Sequence, residues 1–299
     1  MITRLKNRLR LKMNQAARNF LAADEQELLQ IGAYAREWVL PRNLLTEDSQ
    51  KFIPSTWFDD GFDLNVENQR SMLTRWQNYS SFYDELRTDS AINKEFLGKP
   101  YLHNSYYPTP DAEIYASMLL DNKPARIVEV GSGFSTLIAR KMILSAALDT
   151  NITSIDPAPR SDIKEAADRL ILKYVEDVQF DDLGISENCL LFIDSSHICR
   201  GHGDVPFLFC KVIPRLPAGS LVHVHDIFLP YEYPTVFLNR MYTEQYLLYA
   251  TLMNSARYEI LFATHYMSRK YPQAMQSTFG SIVGANNRFF GSSFWFRVK

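Results

Sequence analysis

Cysteine is scarce in this chain, with 3 in 299 residues. Cys189, Cys199 and Cys210 form no CxxC pair and no regular framework, so a disulfide scaffold is excluded and reduced thiols in a cytoplasmic protein are expected. No stretch approaches the roughly 18 uncharged apolar residues that a membrane span needs. The basic amino terminus also lacks a continuous apolar segment of signal-peptide type, which makes export unexpected. Neither sign of charge dominates: 32 Lys and Arg stand against 34 Asp and Glu, a net charge of −2. Without a global positive field a dedicated nucleic-acid binder is not expected, and a small-molecule partner fits better. With 46% hydrophobic residues, 12 Gly and 14 Pro, disordered, collagen-like and low-complexity classes are excluded, and one large domain or a domain with an extension is expected.

Acidic residues are absent from residues 1 to 23, where Arg4, Lys6, Arg8, Arg10, Lys12 and Arg18 supply six positive charges. Ile2, Leu5, Leu9, Met13, Ala16 and Phe20 recur at spacings of three and four, the period of an amphipathic helix. Its apolar stripe fits packing on its own domain or on a second copy in a homo-oligomer; peripheral contact with anionic lipid is the rival reading. A second helix is expected from Asp24 to Val39, ending before Pro41. The irregular stretch FIPSTWFDDGFDLN follows, then a helical pattern from Val66 to Leu86. Residues 1–100 read as a helical extension or cap without a chemical motif.

From Tyr101 the texture alternates. RIVEV, ITSID, VEDVQF, CLLFID and SLVHVHD are short apolar strands separated by helical patterns, among them FSTLIARKMILSAAL and SDIKEAADRLILKY. Such strands imply a parallel sheet covered on both faces, and the closing segments YEILFATHY and SSFWFRVK suggest an antiparallel pair. The expected domain therefore spans residues 101–299: an α/β, Rossmann-like, doubly wound, mostly parallel seven-stranded sheet with an antiparallel C-terminal strand pair.

The most informative segment is RIVEVGSGFSTLIA, Arg126 to Ala139, a strand running through Gly131-Ser132-Gly133 into a helix. Glycines there let backbone approach a ligand at the carboxyl edge of the sheet, where open α/β folds bind cofactors. A dinucleotide fingerprint would place a third glycine at 136, which is Thr136, and this counts against NAD. A carboxylate at Glu129 beside the loop disfavours a pyrophosphate and favours a ligand with ammonium and sulfonium charges, as in S-adenosylmethionine. A plain strand-to-helix turn is the alternative. Asp156 ends the next strand 23 residues beyond Gly133, near the spacing of about 20 at which a carboxylate reaches a ribose diol. One strand later Asp177 falls where an adenine contact would be needed, with Asp181 and Asp182 as competitors.

EVGSGFSTLIA, SIDP, VEDV, LLFIDSSH, RLPAGSLVHVHDIF and the closing strand segments together resemble a class I S-adenosylmethionine-dependent methyltransferase, similar to the small-molecule and sugar-modifying members, some of which use a divalent metal. The resemblance implies that Glu129 and the Gly131, Ser132 and Gly133 backbone hold the methionine end, Asp156 the ribose hydroxyls and Asp177 the adenine side. Ser135 stands where the family usually has its third glycine.

A second cluster ends the next strands: Asp194-Ser195-Ser196-His197 and His223-Val224-His225-Asp226. Alternation puts His223 and His225 on one side of their strand, with His225 and Asp226 nearer the carboxyl end. Methyl transfer requires an aligned acceptor and removal of one proton, a task for imidazole, so His225 and His197 are general-base candidates oriented by Asp194 or Asp226. A divalent cation on Asp194, His225 and Asp226 is possible but not favoured. Phe228, Tyr231 and Tyr233 beyond Asp226 suggest an aromatic acceptor wall, and Tyr101, Tyr106 and Tyr107 a cover over the cofactor. The expected activity is methyl transfer from S-adenosylmethionine to a hydroxyl of a small molecule or glycan precursor. The rivals are a NAD-type oxidoreductase on the same fold and a membrane-associated or assembly module with a vestigial cofactor site.

Overall fold

A computed structural model describes residues 61–92, 106–159, 162–234, 237, 240–280 and 291–299. The chain divides into two compact units, and the one containing the sheet comprises Pro54–Tyr233 and Tyr242–Lys299. The expected helices at 1–23 and 24–39 lie outside the described residues, as do Tyr101 and the expected boundary at residue 100.

Within the sheet unit, helices α1 (Val66–Trp76) and α2 (Ser80–Thr88) precede α3 (Asp111–Asn122), strand β1 (Arg126–Val130) and α4 (Phe134–Ser145). Then come β2 (Asn151–Ile155), β3 (Arg169–Ile171), β4 (Cys189–Ile193) and α5 (Asp204–Phe207), which continues through one π-helical turn over Leu208–Val212. Strand β5 (Leu221–Val224), α6 (Glu244–Leu252), β6 (Tyr258–Ala263), α7 (Thr264–Lys270), α8 (Pro272–Phe279) and β7 (Phe294–Val298) complete it.

The seven strands lie in the order β3-β2-β1-β4-β5-β7-β6. The β1–β2, β2–β3, β1–β4 and β4–β5 pairs are parallel, while β7 runs antiparallel to both β5 and β6. This is the mostly parallel, doubly wound sheet with a C-terminal antiparallel pair that the apolar strand pattern predicts. Alternation along each strand builds two cores. Ile127, Ile152, Leu190, Phe192 and Trp295 face α1 to α4 and α8, whereas Val128, Val130, Leu191, Val222 and Phe296 face α5 and α6.

One local expectation fails. SDIKEAADRLILKY is not a helix where described: its Arg169–Ile171 segment pairs with Thr153–Ile155 as β3, while the VEDVQF segment expected to be a strand begins as a 3-10 turn, Val175–Asp177. Tertiary bonds override the helical period here, because the Asp168 carboxylate accepts the Ile152 N–H at 2.7 Å and pairs with Arg140 at 2.7 Å. This fixes the chain alongside β2.

Residues before 101 contribute to the core. Trp76 on α1 is fully buried, meets the Phe262 ring of β6 in a tilted contact at 4.9 Å and donates its Nε1–H to Asp121 at 2.8 Å. Trp76→Ala should therefore lower unfolding stability by about 3–5 kcal/mol, the usual cost of deleting a buried Trp, measured as the shift in a urea midpoint. A loss below ~1 kcal/mol would show that α1 is only an appendage.

Candidate functional site

The register of the parallel strands brings the site together. Gly131, Asp156, Asp194 and His225 each stand one residue beyond a strand and are still held in the ladder. Their N–H groups donate to Ile155, Ile171, Val130 and Ile193 carbonyls at 2.9–3.1 Å. The sheet order reverses between β1 and β4, and the crevice outside the carboxyl ends at such a switch point is where open α/β sheets bind ligands. Gly131 and Asp194 flank it.

At Gly131 the backbone has φ 81°, and a Cβ would lie 1.8 Å from the Asp194 carbonyl oxygen, so only glycine fits. Gly133, at φ 155°, opens α4 and donates its N–H to Thr136 Oγ1 at 3.1 Å. Asp156 is half-buried. Its Oδ2 accepts both the N–H and the hydroxyl of Ser132 at 2.8 Å, and its Oδ1 accepts the Ala158 N–H at 2.8 Å. The expected ribose carboxylate thus lies beside the glycine loop and holds it, with lone pairs to spare for a diol.

Glu129 takes a different part from the one expected. It is fully buried, and its oxygens accept hydroxyl bonds from Ser135 (2.7 Å), Thr136 (2.6 Å) and Ser154 (2.7 Å). Burial pushes its carboxyl up to about 7. It is a strut beneath the loop, tying β1, β2 and the first turn of α4. Ser135, at the position of the missing glycine, points inward to this strut.

Asp177 is exposed, as are Asp181 and Asp182. Its neighbour Glu176 has a buried Oε2 with no hydrogen-bond partner among the described residues. Nothing in the sequence distinguishes Glu176 from its acidic neighbour Asp177 within VEDVQF, so its burial carries no sequence signal. The aromatic loop is also corrected: Phe228, Tyr231 and Tyr233 are buried and do not form an open wall. Tyr107 is buried, whereas Tyr106 is 47% exposed and stacks parallel on Phe134, at the start of α4.

The second cluster converges. Asp194 Oδ1 is 3.2 Å from His197 Nε2 and 3.4 Å from His225 Nδ1. Asp226 reaches both imidazoles at 3.7 Å, and His197 Nδ1 meets Glu244 Oε2 at 3.0 Å. Glu244 and Asp111, the latter 3.5 Å from His225 Nε2, were not singled out in the sequence. His197 and Asp226 both adopt positive φ, near 60° and 55°, a strained conformation of the kind found at functional sites. Burial alone would lower both imidazoles, but Asp194, Glu244 and Asp226 hold His197, and Asp194, Asp226 and Asp111 hold His225, well above the ordinary histidine value. Burial alone would raise Asp194, yet the His225 and His197 imidazoles hold it well below the carboxylate range. His223 stays apart: it bonds to Tyr107 and Ser293, and burial keeps it well below its ordinary value. Among the described residues no three His, Cys, Asp or Glu side chains stand in a metal-holding arrangement.

No protein-family model matches the chain. It is 37% identical over 79 residues to an uncharacterized protein of Archaeoglobus fulgidus, a stretch covering 26% of this chain and 34% of that protein. The chain thus spans about a third of the length of this curated relative. Its fold is similar to the SAH-bound Podospora anserina methyltransferase PaMTH1, with a TM-score of 0.40 and 15% identity over 94% of this chain and 98% of that one. It is also similar to SAH-bound cmcI-N160, with a TM-score of 0.33 and 14% identity over 66% of this chain and 86% of that one.

The Glu129 strut sets a pH dependence. Its folded value near 7 lies above the ordinary 4.5, so the folded chain prefers the protonated form. That contribution to stability is complete below about pH 4.5 and lost as pH rises through about 7. Urea midpoints for Glu129→Gln should fall less than those of the parent between pH 4.5 and 8. Parallel pH profiles would show that burial does not govern Glu129.

Proposed function

We propose that this chain transfers a methyl group from S-adenosylmethionine to a hydroxyl of a small molecule or glycan precursor. The observation that carries the reading is the glycine-lined crevice between β1 and β4, set in a sheet whose seventh strand is inserted antiparallel between β5 and β6. The dinucleotide-binding order 3-2-1-4-5-6 has no such strand, and Thr136 occupies the place of the third glycine. Both features favour this reading over a NAD-type oxidoreductase, although Glu129, being buried, no longer contributes to the distinction.

The residues present fit the cofactor. The Ser132 and Gly133 N–H groups are already given to Asp156 and Thr136, so the open amino end of α4 is what suits the methionine carboxylate; Asp156 keeps lone pairs for the ribose diol, and the unpartnered Glu176 oxygen lies next to the position assigned to the adenine side. Bound there, S-adenosylmethionine would supply a methyl group already activated by its sulfonium charge. What the chain must add is alignment and a place for one proton. Asp194 is the most open of the four cluster residues, its side chain 26% exposed against 12% for Asp226 and 4% for His225. It accepts the acceptor's hydroxyl bond, and His225 behind it takes the proton. Residues 101–299 carry every one of these groups.

Calorimetry with S-adenosylhomocysteine and NADH tests the cofactor. The homocysteine compound should bind and NADH should not; the reverse would establish the oxidoreductase. Asp156→Ala should weaken the former by roughly ten-fold or more, the value of a charge-assisted hydrogen bond of about 1.5–3 kcal/mol. Unchanged affinity would remove Asp156 from the site.

The raised imidazole value predicts the pH profile. His225 is held above the ordinary imidazole value by Asp194, Asp226 and Asp111, so the rate with any acceptor should climb on a limb displaced to higher pH than an ordinary histidine would give. His225→Asn should remove the limb with cofactor affinity retained. Loss of all activity on chelation, restored by Mg²⁺, would replace the imidazole with a cation.

A further inference from the structure

The carboxyl group of Asp111, the first residue of α3, is completely buried. Its Oδ1 accepts the Ser293 N–H and its Oδ2 the Ser292 N–H, both at 2.9 Å. These donors come from the segment entering β7, some 180 residues away along the chain. At Gly291 just before them the backbone has φ 72°, and a Cβ would meet Thr264 Cγ2 and Asp111 Oδ1, so the segment is wrapped closely around the carboxyl group. The arrangement does more than fasten the chain. Asp111 Oδ2 is also 3.5 Å from His225 Nε2, and the Ser292 hydroxyl lies 3.4 Å from the same nitrogen while donating to Asp226 Oδ1 at 3.0 Å.

We propose that Asp111, fixed by the Ser292 and Ser293 backbone, is the positioning residue of the transfer centre: it holds the proton of neutral His225 on Nε2 and leaves Nδ1, the nitrogen beside Asp194, free to receive the acceptor's proton. The inference rests on the proposed reading of His225 as base. The two sides of the imidazole differ in the way this requires. Nδ1 faces Asp194, the open member of the cluster, whereas Nε2 faces a closed pocket formed by Asp111 and the Ser292 hydroxyl. A buried carboxylate with both oxygens already fixed by backbone N–H groups cannot swing away, so it sets ring orientation and tautomer together, as a buried acid does behind a catalytic histidine. The other groups facing His225 are Asp194, Asp226, the Tyr107 ring at 4.8 Å and the His223 ring at 6.0 Å, with His197 sharing Asp194. His223 is held neutral, and Tyr107 is held in its phenol form by burial.

The test is ¹⁵N NMR of the imidazoles in the full chain, with the His225 resonances identified by their loss in His225→Asn. It needs no acceptor. Above its titration, neutral His225 of the parent should carry its proton on Nε2. A proton on Nδ1 would overturn the proposal whatever becomes of the variants. In Asp111→Asn the titration midpoint should fall by about 1–3 units, the effect of removing an opposite charge at this range, and in Ser292→Ala the backbone donors to Asp111 remain, so the Nε2 tautomer should persist. An Asp111→Asn chain that folds and titrates like the parent would reduce Asp111 to a fastening. Failure of the methyltransferase reading is read separately, as absence of S-adenosylhomocysteine binding by the parent.

Discussion

Parallel pairing in register is the constraint on which the site depends. β1, β2, β4 and β5 end together, so the residue following each strand falls on one line, and each remains fixed by a ladder bond from its own N–H. A residue in that place has the rigidity of the sheet behind it and a side chain free of the strand's packing. Gly131 makes the line possible where it is tightest, since any side chain there would strike the Asp194 carbonyl and push β1 away from β4. The crevice and the Asp194 cluster are therefore two consequences of one contact between adjacent strand ends.

The buried charge that gathers at this edge is tolerable only because it is paired. An isolated carboxylate or imidazolium out of water costs several kcal/mol, and Coulomb attraction offsets that only with good geometry and further hydrogen bonds. The cluster meets the condition by alternation: Glu244, His197, Asp194, His225 and Asp111 form a chain in which each imidazole lies between carboxylates. The single opening in that chain is Asp194. Removing any inner member would leave a neighbour unpaired, so these residues govern the charge of the one that meets solvent.

Sheet architecture and the line of strand ends were legible because each rests on local pattern. Continuous apolar runs identify covered parallel strands, and GSG followed by an apolar-periodic helix identifies the crevice. What escaped the sequence was anything decided by distant partners. Glu129 reads as a ligand carboxylate until Ser135, Thr136 and Ser154 are seen to occupy it. The stretch containing Arg169–Ile171 has a helical period, yet β2 and the Asp168 bonds make it a strand. Asp111 and Glu244 read as first-turn acids of ordinary helices, favourable to the helix dipole, and nothing in their neighbourhoods announces a histidine. Phe228, Tyr231 and Tyr233 resemble a binding wall because an aromatic loop looks the same whether it faces a ligand or its own core.

The two histidines follow neighbouring strands, His225 directly after β5 and adjoining Asp226, His197 four residues beyond β4 and three from Asp194, and the structure separates them further. His197 is gripped at 3.2 Å by Asp194 and at 3.0 Å by Glu244, so each ring nitrogen has a close acidic partner on an opposite side. Its carbonyl oxygen also accepts the Thr243 and Glu244 N–H groups, which ties the loop after β4 to the start of α6. An imidazole held at both ends and through its backbone is suited to fixing Asp194 in place and poorly suited to accepting a proton and passing it on. His225 has looser partners, at 3.4–3.7 Å, and stands one residue beyond β5, held to the sheet by the bond from its N–H to the Ile193 carbonyl. Small shifts of its ring can tighten one side while releasing the other, as proton transfer demands. Distance thus separates the two: the closely held imidazole is placed to support the cluster, and in the proposed reaction the loosely held one is the better placed to exchange a proton.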